Sequence, residues 1–338
     1  MTRSCVCLVV AGLLSLVARD SAAAGPPVRI VFDTDMASDV DDVGALASLH
    51  ALASLGEAQI LAIGISSRNE HVGPCVDAID TWYGRPDIPI GYQRRLQVGY
   101  PRDTGEPTES KYAEAVDKGF PHRLAKSSDA PDAALLYRKV LAAQPDGSVV
   151  IVSVGFLDNL ASLLDTPPDA VSALGGEELV RRKVRRWVCM GGKFPSGRFD
   201  DGEGEYNVRV DTAASMRALS DWPTPVVFSG FEIGARILTG RRLRDVPETS
   251  PVRAAYLHFN GLEDRQSWDQ TAVLYAVRGA AAYWTESEPG LCLMHAGVPF
   301  GFNEWIPTPR KGHRYLVEKM PPADLARVIE ELMMRPPR

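Results

Sequence analysis

Cysteine is scarce in this chain: five in 338 residues, of which Cys5 and Cys7 fall in an N-terminal leader and Cys75, Cys189 and Cys292 lie far apart. An odd count without metal-ligand spacing argues against a disulfide framework and a thiolate zinc site. At most one bridge can form, and the apolar neighbours Val188, Met190, Leu291 and Leu293 point instead to buried free thiols. Beyond the leader no apolar run is long enough to cross a bilayer, so no stable membrane anchor is expected. Basic residues form no extended patch. The net charge is −6, and the one cluster, Arg181 to Arg186, reads as a solvated helix end leading into a strand, which gives nucleic acid little support as a partner. No internal repeat and no linker stands out.

What is present is ordinary globular composition, 45% hydrophobic and 24% charged. Residues 1–24 read as a signal peptide: Arg3 is the positive start, Cys5 to Ala18 the apolar core, and Ala22-Ala23-Ala24 the cleavage site. Export places the mature protein, residues 25–338 read as a single domain, in the periplasm or outside the cell. Within it, strands at 28–32, 59–65, 88–90, 148–154, 187–190 and 225–229 alternate with helices at 43–52, 76–83, 133–143, 157–164, 211–219, 252–259, 271–283 and 323–334. Asp211 is the expected N-cap of its helix. Residues 94–130 are polar, rich in Gly, Pro and Asp, and read as a flap with a helical piece at 111–118. Alternation of this kind predicts an α/β fold, an open, mostly parallel Rossmann-like sheet with helices on both faces. Ligands of such sheets bind beyond the carboxyl ends of the strands.

The stretch Val28 to Leu46 carries the strongest signal. Between its strand and its helix stand Asp33, Asp35, Asp39, Asp41 and Asp42, five acids in ten residues. An N-cap and the helix dipole explain one or two of them. An EF-hand needs Gly at its sixth place and Glu at its twelfth, where this chain has Ser38 and Gly44. A site for a hard cation, Ca²⁺ before Mg²⁺, explains all five.

Other polar residues collect at strand ends and helix starts: Asn69, Asp158, Glu205, Asn207, and Trp268-Asp269. Each also fits a structural role. Asn69 suits a turn, Asp158 and Asp269 suit helix N-caps, Glu205 and Asn207 suit a polar loop, and Trp268 suits a core. Their common placement around one acidic turn is what favours a site.

In that order the motifs resemble the inosine-uridine-preferring nucleoside hydrolase family over nearly the whole mature chain. They are Asp33-Thr34-Asp35 with Asp41-Asp42, Asn69, Gly155 to Ala161, Met190-Gly191-Gly192, Glu205-Tyr206-Asn207 and Trp268-Asp269. The resemblance implies hydrolysis of the N-glycosidic bond of a nucleoside or other N-riboside. Asp35 would then be both Ca²⁺ ligand and the base that activates water. Asp42, Asp269 and the backbone carbonyl of Asp158 would complete the ligands, and Asp33 would support them. Asp41, Asn69, Glu205 and Asn207 would hold ribose hydroxyls. The family's oligomers would make this chain a homodimer or homotetramer. Three departures stand out. The acidic turn is two residues longer than the shortest family form, Asp158 replaces the usual Thr, and Trp268 stands where pyrimidine-tolerant members carry a His that protonates the leaving base. Trp268 can stack on a base but donates no useful proton, which implies purine over pyrimidine nucleosides.

Two other classes remain open on the residues. Phe32-Asp33-Thr34-Asp35 mimics the nucleophile motif of a haloacid-dehalogenase-like phosphatase, with Asp33 as nucleophile and Mg²⁺ as cofactor. An exported Ca²⁺-dependent nucleoside or sugar binder without turnover would carry the same fold.

Overall fold

The computed structural model describes residues 25–94, 109–297 and 301–337. The leader reading, residues 1–24, and part of the flap reading, residues 95–108, lie outside them. No described helix is long and apolar enough to cross a membrane. In chain order the first half runs β1 Val28–Thr34, α1 Asp41–Ser54, β2 Ala58–Ile65, α2 Val72–Trp82, β3 Ile90–Tyr92, α3 Lys111–Gly119, α4 Ala133–Ala142, β4 Val149–Ser153, α5 Asp158–Leu164, α6 Gly176–Lys183 and β5 Val184–Met190. It continues with α7 Tyr206–Arg209, α8 Thr212–Asp221, β6 Val226–Ser229, α9 Phe231–Gly234, β7 Leu238–Thr239, α10 Pro251–Asn260, β8 Arg265–Gln266 and α11 Asp269–Arg278. The chain closes with β9 Trp284–Glu286, β10 Gly290–His295, β11 Phe302–Pro307, β12 Arg314–Glu318 and α12 Pro322–Met333.

Eight strands form one open sheet in the order β3-β2-β1-β4-β5-β6-β12-β9, parallel throughout except for β9 at its edge. The helices cover both faces, and the strands show why. On β1, Ile30 and Phe32 enter one core while Val31 enters the other. Val150 and Val152 oppose Val149 and Ile151 on β4, and Val188 and Met190 oppose Trp187 and Cys189 on β5. Side chains of period two that are apolar on both faces need a helical layer on each side. The expected α/β sheet is therefore what forms. Chain order reverses between β1 and β4, so the crevice beyond their carboxyl ends is the topological switch point.

Several elements differ from expectation for local reasons. The apolar spacing in α1 marked one face, yet only Ala53 of its residues escapes full burial, because α10, α11 and α12 close over the other side. Strand β3 lies two residues later than expected, at the positions that pair with Ile63 to Ile65. Helix α11 stops at Arg278 and not Tyr283, because Gly279 leaves the helix with φ of 72°. Strands β9 to β12 were not anticipated, since the glycines and prolines between them break any long alternation. Helix α3 forms where expected and buries Tyr112, Ala113 and Val116, with Ser110 accepting from Ala113 N at its start. Asp211 caps α8 by accepting from Ala214 N at 2.9 Å. The three cysteines are buried free thiols.

His313 ties the hairpin β10–β11 to the sheet: its Nδ1 accepts from Cys292 N at 3.1 Å, and its ring meets Phe228 edge-on. Burial, then the Lys311 charge, lowers its pKa from 6.5 to about 3. The unfolded chain thus binds the extra proton between those values, so this contribution is fully present above pH 6.5 and is lost as pH falls toward 3. It amounts to on the order of 5 kcal/mol. Acid unfolding followed by circular dichroism should be shallower between pH 6.5 and 4 for His313→Gln than for wild type.

Candidate active site

The acidic turn leaves the sheet at the switch point, and its first acids are set by close backbone packing. A Cβ on Gly155, just after β4, would lie 2.3 Å from the backbone nitrogen of Asp35, so only glycine lets the two strand ends approach. A Cβ on Gly64 would lie 1.6 Å from the Tyr137 hydroxyl, and through that gap Tyr137 reaches Asp33. Asp33 is fully buried and also accepts from Asn159 Nδ2 at 2.9 Å. Burial outweighs both hydrogen bonds and raises its pKa to about 8. It does not line the cavity described next, so it is no phosphoryl nucleophile and the phosphatase reading fails.

Beyond the strand ends lies a cavity of about 430 Å³. Asp35, Asp41, Asp42 and Asp269 form its acidic side, and Glu205 and Asn207 also line it. Carboxylate oxygens of Asp41, Asp42 and Asp269 all fall within 4.8 Å of one another. Thr34 Oγ1 donates to Asp42, and Ser38 Oγ lies 3.5 Å from Asp35. Asp41 accepts from the backbone nitrogens of Trp268 at 3.0 Å and Asp269 at 3.1 Å, so this acid caps a helix more than two hundred residues away. Asp269 is the first residue of that helix, α11. Across the cavity, Glu205 accepts from Gly192 N at 2.8 Å and Asn207 N at 3.0 Å, fixing α7 to the end of β5. Asn207 donates its amide to the carbonyls of Val154 at 2.9 Å and Met190 at 3.2 Å.

Asn69 and Asp158, the other two expected site residues, are buried at the ends of β2 and β4 and are not among the cavity-lining residues. Asn69 accepts from His71 N at 2.9 Å, the turn role that its sequence also allowed. Asp158 is the first residue of α5. Trp268 does line the cavity. Its indole nitrogen donates to the Phe231 carbonyl at 2.8 Å, and its ring lies 5.2 Å from that of Phe231.

Sequence reasoning gave no role to Arg265, Arg209, Glu203, Phe199 or Phe231, all of which line the cavity. The signal for Arg265 was the surplus acid Asp39, which it binds through both Nε and Nη2. Arg209 pairs with Glu203 at 3.3 Å. Both arginines are matched to other acids, Arg265 to Asp39 and Arg209 to Glu203, and their charges only partly offset the burial of Asp41 and Glu205. Burial, followed by the charge of neighbouring acids, pushes Asp41 up to about 8 and raises Asp42 and Asp269 well above the carboxylate range. Burial alone drives Glu205 up to about 7 against its hydrogen bonds. Such a set needs either protons or a cation. Its donors are carboxylate oxygens, and none of the six histidines and no cysteine lines the cavity, which fits a hard ion and not zinc or copper.

The family model for inosine-uridine preferring nucleoside hydrolase matches residues 30–300, and the chain belongs to that family. Its members are N-glycosyl hydrolases. No curated protein matches the sequence. Among solved structures, an inosine-uridine preferring nucleoside hydrolase from Bacillus anthracis is 16% identical with a TM-score of 0.68, over 91% of this chain and 99% of that one. A purine-preferring ribonucleoside hydrolase from Gardnerella vaginalis is 18% identical with a TM-score of 0.63, over 90% and 97%. The type III effector XopQ, complexed with adenosine diphosphate ribose, is 15% identical with a TM-score of 0.61, over 92% and 93%. At these identities the structures establish the shared fold.

The raised carboxylates set a pH dependence. In the metal-free protein Asp33 and Asp41 bind protons up to about pH 8, while the unfolded chain releases them near 3.8, so stability falls as pH climbs through that window. A cation held among Asp41, Asp42 and Asp269 would replace the protons there. Added Ca²⁺ should therefore raise Tm, more at pH 8 than at pH 5, and Asp269→Asn should remove most of the rise in differential scanning fluorimetry.

Proposed function

We propose that this nucleoside hydrolase family member cleaves the N-glycosidic bond of ribonucleosides, purine before pyrimidine, with Ca²⁺ held by Asp35, Asp42, Asp269 and the carbonyl of Asp158. The observation that carries the reading is the buried carboxylate cluster facing Glu205 and Asn207 across one cavity. When bound, a hard divalent cation supplies charge that acidifies a water and gathers sugar hydroxyls.

The chain's own residues do the rest. Asp35 takes the proton from water as its oxygen attacks the anomeric carbon opposite the base, so the configuration inverts. The bond from carbon to base nitrogen breaks, and its electron pair leaves with the base. Positive charge develops on the sugar during cleavage, and the surrounding carboxylates stabilise it. Asp41, Asn69, Glu205 and Asn207 hold the ribose hydroxyls. Asn207 suits this role, because its Nδ2 is committed to two carbonyls and Oδ1 remains to accept.

The base preference rests on the wall formed by Trp268, Phe231 and Phe199. The Trp268 indole N–H is engaged by Phe231, and no histidine lines the cavity, so nothing on that wall donates a proton to a departing pyrimidine. A purine can take its proton from solvent and leave. The same reading takes residues 1–24 as an export signal, putting the enzyme in the periplasm or outside the cell.

Release of free ribose tests the proposal. Inosine should be cleaved well ahead of uridine, chelation should stop turnover, and Asp35→Asn should lower kcat by about a thousandfold. Equal turnover of the two nucleosides contradicts the base preference. Ca²⁺ binding without turnover of any riboside replaces hydrolysis with a binding role.

A further inference from the structure

Four acids of the turn have a place in or behind the carboxylate cluster. Asp39 does not. Its carboxylate turns away to Arg265, which grips it through Nε at 2.9 and 3.0 Å and also through Nη2. The acid's own backbone is held as well: its carbonyl accepts from the Tyr112 hydroxyl of α3 at 2.5 Å, and its Oδ1 accepts from Val40 N at 2.7 Å. Arg265 is equally constrained. It lies in the two-stranded ribbon where Thr239 pairs with it, and Nη1 donates to Gln266 Oε1 at 3.0 Å. Its guanidinium stands 5.7 Å from the ring centre of Phe259 and 5.3 Å from that of Trp268.

The pair joins two segments that the sheet does not connect. One is the turn from Asp33 to Asp42, which supplies Asp41 and Asp42 of the cluster and Asp35 on the same cavity. The other is the run from Arg265 to Asp269, which supplies the third acid of the cluster. They also meet where the carboxylate of Asp41 accepts from the nitrogens of Trp268 and Asp269, and where α1 packs along α11, Gly44 lying against Gln270. Like charges facing one another across that seam push the segments apart, and a two-point ion pair beside the seam opposes the push. The side chains are 33% and 20% exposed, which shields the pair more than an open surface bridge.

We propose that Arg265, acting through Asp39, is a positioning residue that sets the distance between Asp35 and Asp42 on one side and Asp269 on the other. The inference rests on the functional reading above in taking these acids as the cation's ligands. It differs from a simple charge effect in a way that can be measured. If Arg265 acted only as a positive charge near the cluster, its removal would strengthen Ca²⁺ binding and removal of Asp39 would weaken it. A clamp predicts that both removals weaken binding. It also predicts that lysine substitutes poorly, since a single ammonium cannot reproduce the two-point fork.

Isothermal titration with Ca²⁺ on wild type, Arg265→Lys, Arg265→Ala, Asp39→Asn and the double variant Arg265→Ala/Asp39→Asn tests this. Tm without Ca²⁺ identifies any variant that fails to fold, and Arg265→Lys and Asp39→Asn are the mildest changes. Each single variant should bind Ca²⁺ about tenfold or more weakly, with the double no weaker than the worse single, because an opened clamp cannot be opened twice. Inosine turnover at saturating Ca²⁺ should show reduced kcat in Arg265→Lys at nearly unchanged KM. Tighter Ca²⁺ binding by Arg265→Ala overturns the proposal, as do multiplying losses in the double variant or wild-type behaviour of Arg265→Lys. Wild type without turnover of any riboside sinks the hydrolase reading and leaves the clamp to be judged by titration. Wild type that binds no Ca²⁺ overturns both.

Discussion

The repulsion among carboxylates held out of water at the end of β1 is the constraint on which the rest of this structure depends. Unit charges 4.8 Å apart, the distance within which one oxygen each of Asp41, Asp42 and Asp269 falls, repel by roughly 3–4 kcal/mol at an effective dielectric near 20. Three such pairs reach on the order of 10 kcal/mol, comparable to the whole net stability of a domain. The cluster therefore exists with protons on it or with a cation in it. Raised acid pKa values describe the first state, and the all-oxygen donor set describes the second.

The fold brings this cluster together and holds it. The reversal of strand order opens a crevice between β1 and β4, and Gly155 lets their ends touch there. Asp41 draws the start of α11 to the turn by accepting two of its backbone N–H groups, which delivers Asp269. Glu205 and Asn207 reach the opposite wall because one folds α7 back on Gly192 and the other bonds the ends of β4 and β5. Asp41, Glu205 and Asn207 thus each carry a structural bond as well. An N-cap or turn role and a ligand role are compatible here.

Much of the fold was legible because its signals are local. The apolar runs of β1, β2 and β4 and the five acids after β1 are contiguous in sequence, and the two-sided burial of a parallel sheet follows from strands with no polar face. Strand β12 escaped notice because it is short and its parallel partner β6 lies far away in the chain. The site was legible to the extent that acids accumulate where none is needed for folding. Arg265 was not, since its meaning depends on Asp39, more than two hundred residues earlier. The aromatic wall was hidden likewise, because Phe199 and Phe231 sit in a loop and a one-turn helix with no periodic pattern.

The most direct test of the central claim is a crystal structure of the protein grown with Ca²⁺, with the ion located by anomalous scattering. The account predicts one ion at the cavity, with oxygens of Asp35, Asp42 and Asp269 at about 2.3–2.6 Å. An ion bound elsewhere at saturating Ca²⁺, with those three carboxylates making no contact to it, would contradict it.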